Sequence, residues 1–94
     1  MNDIQVPTID EPFTCKGELQ PGALVFEAHL KYAGDYQSME ITCFQDGKAV
    51  WDRGLYSFFI EKRGTGSYVK FQFSDRCVES TDKYTLNGTI HFRR

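Results

Sequence analysis

Apolar and polar residues alternate along most of this chain from residue 22 onward, with a period of two. Leu24, Phe26, Ala28, Leu30 and Tyr32 fall on one side of the run 23–32, and Val25, Glu27, His29 and Lys31 on the other. That periodicity describes a half-buried antiparallel strand, because successive side chains of an extended chain point to opposite faces. The same reading places strands over 37–45, with Met39, Ile41 and Cys43 inward, and over 67–74, with Val69, Phe71 and Phe73 inward. The last strand, 84–93, sends Tyr84, Leu86, Ile90 and Phe92 inward. Residues 55–62 are apolar on both sides, with Tyr56, Phe58 and Ile60 on one and Leu55 and Phe59 on the other. Such a strand is expected at the centre of a sheet or between layers, and Phe59 is counted with the core. No stretch shows a helical repeat.

Turn chemistry separates these runs. Pro21-Gly22 and Gly64-Thr65-Gly66 are turn signals. Asp46-Gly47 is the strongest hairpin signal, because a type I′ turn needs positive φ at both central residues. Ala33-Gly34-Asp35-Tyr36 reads as a tight connection, and Asn87-Gly88 inside the last strand as a bulge or bend. Pro7 and Pro12 make residues 1–12 an extended N-terminal arm, and Phe13 to Lys16 a short first strand. The expected architecture is all-β: a single domain over 13–94, a small antiparallel β-barrel or β-sandwich of about six or seven strands with mostly meander connections.

Composition sharpens this reading. With 94 residues there is room for one core, and the aromatic share of 15% fills it with large side chains. The net charge of −2 disfavours a general nucleic-acid binder, which needs a basic excess. No apolar run reaches the length of a membrane span, and the first residues lack the basic-then-apolar order of a signal peptide. A cytoplasmic location is therefore expected, with a periplasmic or secreted protein as the alternative. Cys15, Cys43 and Cys77 are odd in number, so a complete set of internal disulfides is impossible, and one bridge plus a free thiol stays open.

The sequence shows no catalytic constellation, and no motif assigns it to a known family. His29 and His91 fall on polar strand faces without chelating spacing. A Cys–His nucleophile from Cys15 or Cys77 has no spacing in its favour. Val69 stands where the third glycine of a kinase phosphate loop would be. No enzyme activity, cofactor or metal is expected.

What is left over is aromatic and basic. Segment 53–72 carries four basic residues to one acidic. Aromatics beside arginines are typical of interface hot spots, and Phe44, Trp51, Arg53, Tyr56, Arg63 and Tyr68 are the expected binding residues. The function expected is a non-enzymatic protein–protein interaction, an inhibitor or antagonist of a larger partner. The alternatives are a small-ligand-binding β-barrel and a single-stranded nucleic-acid binder.

Overall fold

The computed structural model describes residues 7–51, 56–74 and 84–94. These residues form eight strands and no helix: β1 Thr8–Lys16, β2 Glu18–Gln20, β3 Ala23–Leu30, β4 Asp35–Gln45, β5 Lys48–Trp51, β6 Tyr56–Arg63, β7 Gly66–Ser74 and β8 Tyr84–Arg93. They make two antiparallel sheets of four strands. The first runs β1-β8-β4-β5 and the second β2-β3-β7-β6.

Three hairpins close as their turn residues require. Pro21-Gly22 joins β2 to β3 with Gly22 at φ 82°, and Gly64-Thr65 joins β6 to β7 with Gly64 at φ 61°. Asp46-Gly47 joins β4 to β5 with φ of 54° and 83°, the left-handed pair a type I′ turn needs. The remaining pairings are not between chain neighbours. β3 pairs with β7, and β8 lies between β1 and β4. The chain thus makes a hairpin in one sheet and then changes sheet, which replaces the meander expected from the short loops. The connection after β3 crosses between the sheets over residues 31–34, and Asp35 and Tyr36, expected in that connection, already belong to β4 and pair with Arg93 and Phe92.

The inward faces follow the alternation. Leu24, Phe26, Ala28 and Leu30 from β3 meet Val69, Phe71 and Phe73 from β7 and Leu86, Ile90 and Phe92 from β8 in one buried cluster. The Phe13 and Phe71 rings stack at 5.6 Å between the two sheets. Cys43 is buried in this cluster, while Cys15, Met39 and Ile41 are half-buried against it. Cys15 and Cys43 are free thiols, and Cys77 lies outside the described residues. Each large apolar side chain fully withdrawn from water stabilises the fold by roughly 1.5–3 kcal/mol.

Four further features of the sequence reading change. β1 starts at Thr8 and pairs with β8 along its whole length, so residues 8–12 belong to the sheet. Pro12 is compatible because β1 is an edge strand, where a missing backbone donor is tolerated.

Residues 87–88 form neither bulge nor bend: Asn87 and Gly88 keep unbroken register with Thr14 and Phe13 on one side and Thr42 and Ile41 on the other.

Leu55 is outside the described residues, and the strand expected over 55–62 is β6, which lies at an edge and not at the centre. Its inward face is set by pairing with β7, where Phe58 opposes Phe71 and Ile60 opposes Val69. Residues directly opposite across a pair share a face, so Phe58 and Ile60 pack on the core. Phe59 falls opposite Lys70 and is 48% exposed, outside the core that its sequence position suggests.

Val25, on the polar side of β3, is nonetheless buried at 2%. It lies in register between Glu18 and Gln72, whose long side chains can lie along it.

Candidate functional site

Tyr68 organises the outer face of the second sheet. It points away from the core, in alternation with Val69, yet it is only 7% exposed. Its neighbours explain this. His29 stands opposite it on β3 and Glu61 opposite it on β6. The His29 ring lies 5.3 Å from the Tyr68 ring and the Phe59 ring 5.8 Å away. The Arg63 guanidinium sits 3.9 Å above the ring centroid, a cation–π contact. Arg63 is held by Glu61, Nε to Oε2 at 2.5 Å. The Tyr68 hydroxyl donates to the Glu27 carboxylate. That carboxylate disfavours a phenolate beside it, so the Tyr68 hydroxyl is held above its ordinary pKa of 10.0.

The result is a patch with a covered tyrosine at its centre and an exposed phenylalanine at its side. Three strands build it, and all have the same antiparallel register logic. It contains two of the residues expected from sequence, Arg63 and Tyr68, and adds Phe59, His29 and Glu27. The others are elsewhere. Phe44 is half-buried on β4, and Trp51 ends β5, both in the first sheet. Tyr56 opens β6 opposite Phe73. Arg53 lies outside the described residues. The six expected residues therefore do not form one face. Tyr68 is also not the freely exposed aromatic that alternation alone suggests, because its cross-strand neighbours cover it.

This distinction has a measurable consequence. Tyr68→Ala is expected to destabilise the protein beyond the ~0.5 kcal/mol range of ordinary surface changes, and Phe59→Ala to stay within it. Urea unfolding of both variants checks the expectation. Equal midpoints for the two would mean that Tyr68 carries no structural weight.

The outer face of the first sheet is different in kind. It displays Thr14, Thr42, Asn87 and Thr89 around a shallow depression of about 370 Å³, also lined by Pro12, Phe13, Glu40 and Gly88. Threonine and asparagine side chains share this lining with apolar surface from Pro12 and Phe13. Beside it, His91 bridges two carboxylates. Nδ1 is 2.6 Å from Asp10 Oδ1 on β1, and Nε2 is 2.8 Å from Glu40 Oε1 on β4. Alternation correctly sent both histidines outward, but nothing in the spacing announced this cluster. Its members come from three strands that are distant in sequence.

Two thiols sit in surroundings that disfavour the thiolate. Burial pushes Cys15 up to about 11 and Cys43 above its ordinary value. Both face the core, whereas His29 and His91 face outward. Among the described residues, no three His, Cys, Asp or Glu side chains are placed to share a metal ion, and no helix is long and apolar enough to cross a membrane. No protein-family model matches the chain, and no curated protein or solved structure matches it either.

Proposed function

We propose that this protein is a non-enzymatic binding protein, a small two-layer β-sandwich that docks the outer face of β3-β7-β6 on a larger protein and acts as its inhibitor or antagonist. The observation that carries the reading is Phe59: a large ring, 48% exposed, set beside a tyrosine already immobilised by Glu27, His29 and Arg63. Association costs free energy in lost translational and rotational freedom and, in addition, in freezing mobile side chains. A central ring already packed by its neighbours avoids part of the second cost, and aromatics with arginine are the residue types that dominate hot spots.

The charges on the patch are mixed: Arg63 and Lys70 share the face with Glu61 and Glu27, while Lys62 alternates to the other side of β6 and pairs with Asp35. A partner surface that matches this arrangement needs both signs, and such matching suppresses wrong partners. The chemistry of a cytoplasmic antagonist is consistent with thiols that remain free.

The test uses a partner identified by crosslinking to the intact chain and then measured as a purified pair. Phe59→Ala and Arg63→Ala are expected to weaken binding by ~2 kcal/mol or more, about 30-fold in Kd. Thr14→Ala and Thr42→Ala, on the other sheet, are expected to leave it unchanged. If the threonine variants lose binding and the Phe59 variant keeps it, the docking face is the first sheet and this reading is wrong.

A further inference from the structure

We propose that His91 is a proton-operated latch that ties the leading half of β1 to β8 and β4 and releases it when the ring loses its proton. The argument starts from geometry. Both nitrogens of the His91 ring face carboxylate oxygens, Asp10 at 2.6 Å and Glu40 at 2.8 and 2.9 Å. A neutral imidazole has one N–H and one lone pair. It can donate to one of these carboxylates only, and its lone pair then faces the other. The doubly protonated ring alone satisfies both sides at once.

The latch spans three strands. Asp10 stands directly opposite His91 in the β1–β8 register, and Glu40 reaches it diagonally from β4, where Ser38 is the direct partner. Other charged groups near the ring are few. Arg93 follows two residues along β8 on the same side, opposite Asp35 on β4, and Asp35 is held by Lys62. On β1 the Thr8 hydroxyl donates to Asp10 and fixes its carboxylate. The reverse side of β8 is apolar core, with Ile90 and Phe92 fully buried. The ring is 23% exposed, so protons reach it while neighbouring atoms exclude much of the solvent.

Position makes the contact consequential. β1 is an edge strand whose only ladder among the described residues is to β8. Two adjacent acids pin that half-strand. Asp10 grips His91 on the outer face, while Glu11 accepts the backbone N–H groups of Lys31 and Tyr32 at 3.0 Å each. Releasing Asp10 leaves the start of β1 held through Glu11 and the remaining ladder alone.

The direction of the pH effect follows. The two carboxylates, Asp10 first, raise His91 above its ordinary 6.5. A group so raised contributes stability that is complete below 6.5 and is lost as pH rises through its folded midpoint. Asp10 is lowered from its ordinary 3.8, mainly by His91, so its contribution is present above 3.8 and is lost as pH falls through its own folded midpoint. The latch is closed between these limits and opens as the imidazolium loses its proton. It lies on the opposite sheet from the docking face and stands independently of it.

The test combines ring titration with amide exchange in the full chain. By NMR, His91 is expected to titrate above 6.5, and the Asp10→Asn, Glu40→Gln double variant to bring its midpoint down. The exchange of hydrogen-bonded amides in Thr8–Glu11 is measured relative to those in Phe13–Lys16 between pH 6 and 8.5, a ratio that cancels the intrinsic base catalysis of exchange. In the native chain the leading half is expected to lose protection several-fold relative to the trailing half as His91 deprotonates. In His91→Gln, which cannot be protonated, and in the double variant the ratio is expected to stay flat. A His91 midpoint at or below 6.5 overturns the proposal. So does a ratio with the same pH course in the native chain and both variants.

Discussion

Phe71→Ala should cost about 3–5 kcal/mol of unfolding free energy, the range measured for deleting a large ring from a packed core. Phe71 is fully buried at the centre of β7. It opposes Phe26 on β3 and Phe58 on β6. Its ring also stacks on Phe13 of the other sheet at 5.6 Å. Loss of the ring removes one side of the contact between sheets, and strands tied into ladders on both edges cannot collapse far into the space. A domain of this size has only ~5–15 kcal/mol in hand, so the variant is expected to sit at the margin of folding. Chemical denaturation at 25 °C provides the measurement. A loss below ~1 kcal/mol would mean that the sheets do not meet through this ring. Phe71→Leu, which keeps most of the apolar volume, is expected to lose much less.

Gly88→Ala is expected to destabilise by about 1–3 kcal/mol, and Gly88→Val by more, as overpacking does. The cause is space rather than backbone conformation. A Cβ added at Gly88 would lie 2.5 Å from the Glu40 carbonyl oxygen, 2.9 Å from Ile41 Cγ2 and 2.9 Å from Phe13 Cε1. Two of these neighbours are side chains that can move, but the carbonyl belongs to the backbone of the adjacent strand. Phe13→Ala in the same molecule is therefore not expected to rescue Gly88→Ala. A rescue would show that the ring, not the Glu40 backbone, fills the site. Gly47 makes a useful contrast: nothing lies within 4 Å of a Cβ there, and its φ of 83° makes any cost of substitution conformational.

Gly88 also shows where sequence reasoning stops. A glycine inside a strand signals either a distortion or a close approach, and one chain read alone does not distinguish them. The register chose the second, because both neighbours of β8 run past Gly88 without a shift. Phe59 is the same problem in another form. Residues 55–62 are apolar on both sides, so alternation names two candidate faces and does not rank them. The pairing with β7 ranked them, by placing Phe58 and Ile60 opposite Phe71 and Val69. The Tyr68 and His91 clusters were illegible for a related reason. Each depends on residues 41 or more positions apart, Glu27 with Tyr68 and Asp10 or Glu40 with His91. No local pattern carries such a pairing.

What the amino-acid sequence determined by itself was local. Alternation assigned Leu24, Phe26, Leu30, Val69, Phe71, Phe73, Leu86, Ile90 and Phe92 to the core, and all of them are buried there. Pro21-Gly22, Asp46-Gly47 and Gly64 placed the three hairpins, because positive φ is a property of single residues and their neighbours. Only the tertiary structure decided which strands lie side by side. A half-buried strand presents the same alternating stripe to any partner, so its pattern is silent about whether β3 should pair with β4 or β7. That choice is made by joint burial of all the stripes in one core. It sets which side chains surround Tyr68 on one sheet and His91 on the other, and so where any function of this protein can reside.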